Sequence, residues 1–201
     1  MRILIFGAGR VGKALLRILK GTKNRITVVD SKREVCDLIA SEFDAEVICA
    51  DVTDPEKLDE LKLQEFDFVF AVTGNEETNF LVSVYARHAN ARKVISRASE
   101  AKYSLMMEKL GVEPLIPELT LARELANMVL SPLVSKMLDP RFSHVEMVEK
   151  DVEGSLKGKT VSEASKKMNI VTIFRDGSFI QPAPDMVLEE GMRIIVVRHN
   201  V

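Results

Sequence analysis

Ile3, Leu4, Ile5 and Phe6 run without a polar break into Gly7-Ala8-Gly9-Arg10-Val11-Gly12, and a helical pattern opens directly behind them. Four consecutive apolar residues mark a strand buried on both faces. A G-x-G-x-x-G spacing between such a strand and a helix leaves few folds open. Gly7 permits the tight turn, Gly9 lets the backbone approach a pyrophosphate, and Gly12 lets helix and strand pack closely. The helix N-terminus presents free N–H groups and a partial positive charge to phosphates. A second run, Ile26 to Val29, ends on Asp30 and Ser31. That acid lies roughly 20 residues beyond the glycines, where a carboxylate can hold a ribose diol.

The rest of the first two thirds repeats the same alternation. Lys32 to Phe43 is amphipathic, with Val35, Leu38 and Ile39 at helical spacing. Glu46 to Ala50 reads as a short strand, closed by Asp51, Val52 and Thr53. Asp54 and Pro55 then suit the cap and first turn of a helix carrying Leu58 and Leu61. Phe66 to Val72 is a strand followed by the polar turn Thr73-Gly74-Asn75, and a helix from about Glu76 contains Asn79. Strands at Lys93–Ser96 and Val112–Ile116 flank a helix that Gly111 stops. Six strands alternating with helices predict a Rossmann-like, doubly wound parallel sheet of the α/β class. A ligand belongs at the carboxyl ends of strands one and four, where the strand order reverses.

From Glu118 to Leu138 the pattern predicts one long helix, kinked at Pro132. Leu119, Leu125, Met128, Val129, Leu133 and Val134 are among too many apolar residues for one stripe, so two faces need cover. The second cover is either the other domain of the same chain or, preferred here, a second subunit. Asp139-Pro140-Arg141 marks a boundary, giving domains over 1–140 and 141–201. The second part alternates as a strand from Val145 and can cap a helix at Thr160 with Glu163. It turns a hairpin at Arg175-Asp176-Gly177 and ends on a strand from Arg193. These elements make a smaller α+β module that is expected to dock or dimerise.

The net charge of −2 gives no general attraction to nucleic acid, and no run is long and apolar enough to span a bilayer. The first strand starts at the N-terminus, so no leader segment is expected. Cys36 and Cys49 show no metal spacing and are expected to be reduced, buried, small apolar residues.

The ordered set of motifs resembles the RCK (regulator of K+ conductance) family, above all the TrkA-type regulatory subunits of Trk/Ktr potassium uptake. The matching pieces are Gly7 to Gly12, Asp30, Asp51 to Pro55, Thr73 to Asn79, Val94 to Arg97, and Pro117-Glu118. Leu156 to Thr160 and Leu188 to Gly191 resemble the smaller C-terminal RCK module. The chain departs from the family at Ala50, where glycine is usual, and at Glu76-Glu77, where Asp-Glu is frequent. The resemblance implies a cytoplasmic regulator that binds NAD(H) or ATP/ADP and acts on a membrane-embedded potassium transporter subunit. It implies a homodimer or higher ring, peripheral to the inner face of the membrane through that partner, with no direct membrane insertion.

The nucleotide-binding candidates are Gly7, Gly9, Arg10, Val11, Gly12, Asp30, Ser31, Asp51, Val52, Thr73, Gly74, Asn75, Asn79, Arg97 and Glu118. Arg10 can reach phosphate oxygens with its guanidinium. Arg97 faces the ligand or the second subunit by resemblance. Glu118 is placed to hold a nucleotide's phosphates through a divalent ion or to charge a helix N-terminus. The competing function is a small NAD-dependent oxidoreductase, which needs an acid/base and a substrate pocket beside the nicotinamide. No catalytic set is evident in the sequence, and fold alone does not decide between the two.

Overall fold

The structure, a computed structural model, describes residues 1–138 and 145–199. The expected boundary at Asp139-Pro140-Arg141 lies outside the described residues. By packing, the chain divides into two compact units, Met1–Ala122 and Arg123–Val201.

The first unit alternates strands and helices: β1 (Arg2–Phe6), α1 (Arg10–Leu19), β2 (Arg25–Asp30), α2 (Arg33–Glu42) and β3 (Glu46–Cys49). It continues through α3 (Pro55–Glu60), β4 (Phe68–Ala71), α4 (Glu76–His88), β5 (Val94–Arg97), α5 (Ala101–Lys109) and β6 (Glu113–Leu115). All six strands pair in parallel in the order β3-β2-β1-β4-β5-β6. The sheet is the expected Rossmann-like one. Its order reverses between β1 and β4, and Phe6 pairs with both Val29 and Ala71. That register brings Gly7, Asp30 and the chain after Ala71 to one edge.

Alternation along β1 explains the unbroken apolar run. Leu4 and Phe6 join one core with Val29, Val69, Val82 and Met107, while Ile3 and Ile5 join the other with Leu16, Val28 and Ile39. Leu4, Ile5 and Phe6 have no exposed surface. Each such side chain contributes roughly 1.5–3 kcal/mol by burial. On α2 the inward face is Cys36 and Ile39, with Val35 packed beside them, whereas Leu38 is exposed. Leu38, expected on the inward face, is the departure, and Cys36 is buried as expected.

The long apolar segment is two helices, α6 (Pro117–Leu130) and α7 (Pro132–Leu138), with Ser131 between them. Pro132 has no N–H to donate back into α6, so it ends that helix and starts the next in place of a kink. Every residue from Glu118 to Val134 is exposed, Leu130 and Leu133 at about 80%.

The second unit contains α7, β7 (Val145–Asp151), α8 (Val161–Ser165), β8 (Asn169–Arg175), β9 (Ser178–Ile180) and β10 (Arg193–His199). The strands pair antiparallel in the order β7-β10-β8-β9 over a core of Ile173, Leu188, Ile194 and Val196. Thr160 and Glu163 form the expected reciprocal cap at the start of α8. Asp176 and Gly177 both take positive φ, as a tight hairpin with matching twist requires.

A candidate nucleotide cleft at the carboxyl edge of the sheet

A cleft of about 450 Å3 opens where the strand order reverses. Its walls are Gly7, Gly9, Val29, Asp30, Ser31, Lys32, Val35, Ala50, Asp51, Val52, Thr53, Thr73, Gly74, Asn75 and Thr78. Nine of the sequence candidates are therefore brought together: Gly7, Gly9, Asp30, Ser31, Asp51, Val52, Thr73, Gly74 and Asn75. Val29, Lys32, Val35, Ala50, Thr53 and Thr78 complete the wall. Thr53 closes the third strand with Asp51, as the sequence reading places it, and Ala50 and Lys32 adjoin candidates, so adjacency could have found those two. Val35 and Thr78 are the third residues of α2 and α4, and only the folding of each first turn back over the sheet edge brings them to the wall.

The three glycines differ in what confines them. Gly7 has φ of +96°, and a Cβ there would meet Thr73 Cα at 2.7 Å. A Cβ on Gly12 would meet the Gly7 carbonyl oxygen at 2.1 Å. Gly12 thus serves the approach of α1 to its own loop and does not line the cleft. Gly9 has nothing within 4 Å of such a Cβ, and no side chain caps the start of α1. Open backbone at a helix N-terminus suits an anion.

Asp30 is pinned by two amides. The Ala8 N–H donates to its Oδ2 at 2.8 Å and the Lys32 N–H to its Oδ1 at 3.0 Å. A carboxylate has about four acceptor positions, so each oxygen keeps one for a ligand hydroxyl. Asp51 accepts at one oxygen from the Thr53 N–H at 2.9 Å and hydroxyl at 2.8 Å. Those bonds, the backbone one first, hold its carboxyl below the usual range. Behind this wall, Cys36 donates to the Asp30 carbonyl at 3.3 Å. Burial and then the neighbouring Cys49 thiol push Cys36 up to about 11. Both cysteines are free, but Cys49 is exposed, against the expectation that both are buried.

Asn79 is held within the protein. It is 1% exposed, and its Oδ1 accepts from the Thr73 N–H at 2.8 Å and hydroxyl at 2.7 Å. Its Nδ2 donates to the Thr73 and Arg97 carbonyls, each at 3.3 Å. All four of its hydrogen-bonding positions are filled by protein, so Asn79 ties the ends of β4 and β5 to α4. Arg97 supplies a carbonyl to that tie, and its side chain is not part of the cleft wall. Arg10 and Val11 occupy the exposed first turn of α1, and Glu118 the exposed first turn of α6, outside the wall. Sequence reasoning also missed Glu76, whose Oε1 accepts from the Ser99 and Glu100 N–H groups at 2.6 and 3.0 Å. It thereby caps α5 from α4. The Glu100 and Ser99 amides, in that order, hold its carboxyl below the usual range.

A doubly wound sheet with this glycine loop and acid, and a separate small antiparallel sheet, define a two-unit α/β protein whose first unit is Rossmann-like. Residues 3–118 match the TrkA-N domain family and residues 145–198 the TrkA-C domain family, and the chain belongs to this TrkA family. It is 33% identical over 201 residues to a Trk system potassium uptake protein TrkA homolog of Methanothermobacter thermautotrophicus, covering 98% of this chain and 93% of that one. It is 30% identical over 200 residues to the Ktr system potassium uptake protein A of Vibrio alginolyticus, covering 96% and 90%. Of a Methanosarcina mazei TrkA homolog, 29% identical, it spans only 45% of the length. The fold is that of the GsuK RCK domain, with a TM-score of 0.52 at 21% identity over 98% of this chain and 44% of that one. Among the described residues no helix is long and apolar enough to cross a membrane.

Proposed function

We propose that the chain is a cytoplasmic, non-enzymatic regulatory subunit that binds NAD(H) or ATP/ADP and controls a membrane-embedded potassium transporter subunit. The observation that carries the nucleotide reading is the presence of an amide-pinned Asp30 and the open backbone at Gly9 in the wall of one cleft. Asp30 takes the ribose diol, and the first turn of α1 takes the phosphates. The potassium role is supported by relatives named as Trk and Ktr potassium uptake proteins. A solved GsuK channel bound to NAD and a GsuK bound to ADP, at 20% and 17% identity, share this fold.

In this reading residues 1–140 form the nucleotide domain with its dimerisation helix, and residues 141–201 form an interaction module. Two copies pair through the exposed apolar residues of α6 and α7, as a dimer or as part of a larger ring. Arg10 and Arg97 stand outside the cleft wall, and they read the terminal phosphates by closing onto them in one of two states. A ligand shifts such an equilibrium only through its differential affinity for the two states. Removal of Arg10 therefore weakens ATP more than ADP.

The test is calorimetry of wild type and Arg10→Ala with ATP, ADP, NAD and NADH, beside potassium flux in cells carrying the partner. Equal loss for ATP and ADP removes the phosphate-reading role. Steady oxidation of NADH with a small carbonyl substrate would establish the oxidoreductase reading instead.

A further inference from the structure

Cys36 and Cys49 are the chain's two cysteines, and the fold brings them together behind the wall of the cleft. Strand alternation makes the pairing. Val47 of β3 packs into the core that holds Val35 and Ile39 of α2, and Ile48 packs into the opposite one. Cys49, two residues beyond Val47, therefore points to the α2 face. Asp30 lies beside Cys49 in the β2–β3 register, and the chain turns from Asp30 into α2, whose fourth residue is Cys36. Each thiol donates to one of two successive carbonyls, Cys36 to Asp30 at 3.3 Å and Cys49 to Ser31 at 3.9 Å. The two thiols also lie within hydrogen-bonding reach of each other.

Their surroundings differ in a way that suits thiol–disulfide exchange. Cys36 is 4% exposed, whereas Cys49 is open to solvent on the edge strand of the sheet. A solvent-borne oxidant therefore meets Cys49 first. Burial, and then the Cys49 thiol, hold Cys36 up at about 11, so it closes a bond and does not start the reaction. Among the described residues no three His, Cys, Asp or Glu side chains cluster to hold a metal, which leaves the pair to sulfur chemistry. Val35 precedes Cys36 and Ala50 follows Cys49, and both line the cleft.

We propose that Cys36 and Cys49 are a reversible disulfide site that takes a small-molecule disulfide as oxidant and narrows the cleft on its Asp30 side. The Cys49 thiolate attacks one sulfur of the oxidant, RSSR. The S–S bond of the oxidant breaks, and one RS− leaves with its electron pair and takes up the Cys49 proton as RSH. The Cys36 thiolate then attacks the Cys49 sulfur of the mixed disulfide and expels the second RS−, which leaves as RSH with the Cys36 proton. The two cysteines lose two electrons and two protons, and RSSR takes up both. An S–S bond of about 2.05 Å is shorter than any contact between thiols, so closure draws the first turn of α2 and the end of β3 together. Val35 and Ala50 approach with them. The effect on ligand binding rests on the nucleotide reading, and the disulfide itself does not.

The probe is hydroxyethyl disulfide, given in excess to the native full chain, with acid quenching and mass spectrometry. The expected product has lost two hydrogens per chain, yields a Cys36–Cys49 cross-linked peptide pair, and returns to the starting mass with dithiothreitol. Cys36→Ala should stop at one adduct on Cys49, and Cys49→Ser should not react while folded. A wild type that stops at the Cys49 adduct, or that links Cys49 between chains with Cys36 still a thiol, overturns the proposal. Calorimetry with ATP then compares reduced and oxidised wild type. Oxidation should weaken binding about tenfold, dithiothreitol should restore it, and the same treatment should leave Cys49→Ser unaltered. Equal affinity in the two forms overturns the narrowing. If the reduced chain binds none of ATP, ADP, NAD and NADH, the function proposed above fails, while the mass still decides the disulfide.

Discussion

Alanine substitutions at the three glycines of the first loop should separate folding from binding. At Gly12 the new Cβ would lie 2.1 Å from the Gly7 carbonyl oxygen, against 3.4 Å for the start of ordinary contact. α1 must then retreat by roughly 1 Å, and overpacking of this kind costs about 1–3 kcal/mol even where side chains absorb it. Here the obstacle is backbone, so the loss should reach about 3 kcal/mol. Gly7→Ala meets Thr73 backbone at 2.7 and 2.8 Å and also takes φ of +96°. The left-handed conformation alone costs roughly 1–2 kcal/mol. Gly9 has φ of −70° and open space around it, so Gly9→Ala costs only the preference of an N-cap for glycine, about 0.5–1 kcal/mol. The methyl nevertheless occupies the space a phosphate needs, and one lost hydrogen bond to a charged group is worth about 1.5–3 kcal/mol. That corresponds to about a tenfold to hundredfold loss of affinity. Urea unfolding without nucleotide, followed by circular dichroism, should rank Gly12→Ala and Gly7→Ala well below wild type and Gly9→Ala near it. Calorimetry with ATP and NADH should show the loss in Gly9→Ala. Wild-type affinity in that variant, or destabilisation as large as that of Gly12→Ala, would refute the assignment of Gly9 to ligand approach.

Asp30 should impose selectivity for a free ribose diol, so calorimetry is expected to give tighter binding of NADH than of NADPH; a 2′-phosphate about 4 Å from the carboxylate adds a repulsion of about 4 kcal/mol per charge pair at an effective dielectric of 20. Leu125→Glu or Met128→Glu should convert a micromolar dimer to monomers by light scattering, since an unpaired charge in an apolar interface costs about 3–5 kcal/mol; a monomeric wild type would dismiss the interface. Glu76 titrates below its ordinary 4.5 because amides cap it, so its contribution is present above that pH and is lost as pH falls through the folded value. Glu76→Gln should remove that part of the acid unfolding limb and cost about 1 kcal/mol or less at neutral pH, by analogy with a lost cap; an unchanged limb would mean the cap contributes nothing.

What the sequence made legible was whatever is settled within a few residues. The strand–glycine–helix unit, the Asp54 cap before Pro55, the Thr160–Glu163 box and the Asp176-Gly177 turn all depend on near neighbours. The exposure of Leu38 was hidden because it sits at the edge of a broad apolar arc with Val35, Cys36 and Ile39, and the sheet below selects which residues turn inward. The break at Ser131 was half visible. Pro132 announces a lost hydrogen bond, but whether a helix bends or restarts depends on what holds each half.

Asn79 carries the sharper lesson about the cleft. Its position in the first turn of the helix after a polar turn marked it as a ligand contact, yet Thr73 and Arg97 fill all four of its bonds. Thr73 is engaged in the same way, since its hydroxyl sits between Asn79 and Asn75. Asn79 and Thr73 have little left to offer a ligand, and their work is to hold the β4 end in place. Asp30, Asp51 and the Gly9 backbone differ, because each keeps hydrogen-bonding positions that protein does not fill; in Asp51 both bonds from Thr53 go to one oxygen. Polar residue type thus locates the edge of the sheet where a ligand binds, while unfilled valence at that edge picks out the groups whose energy changes when it does. Substitutions at Asn79 should therefore move stability first and affinity second, and those at Gly9 the reverse.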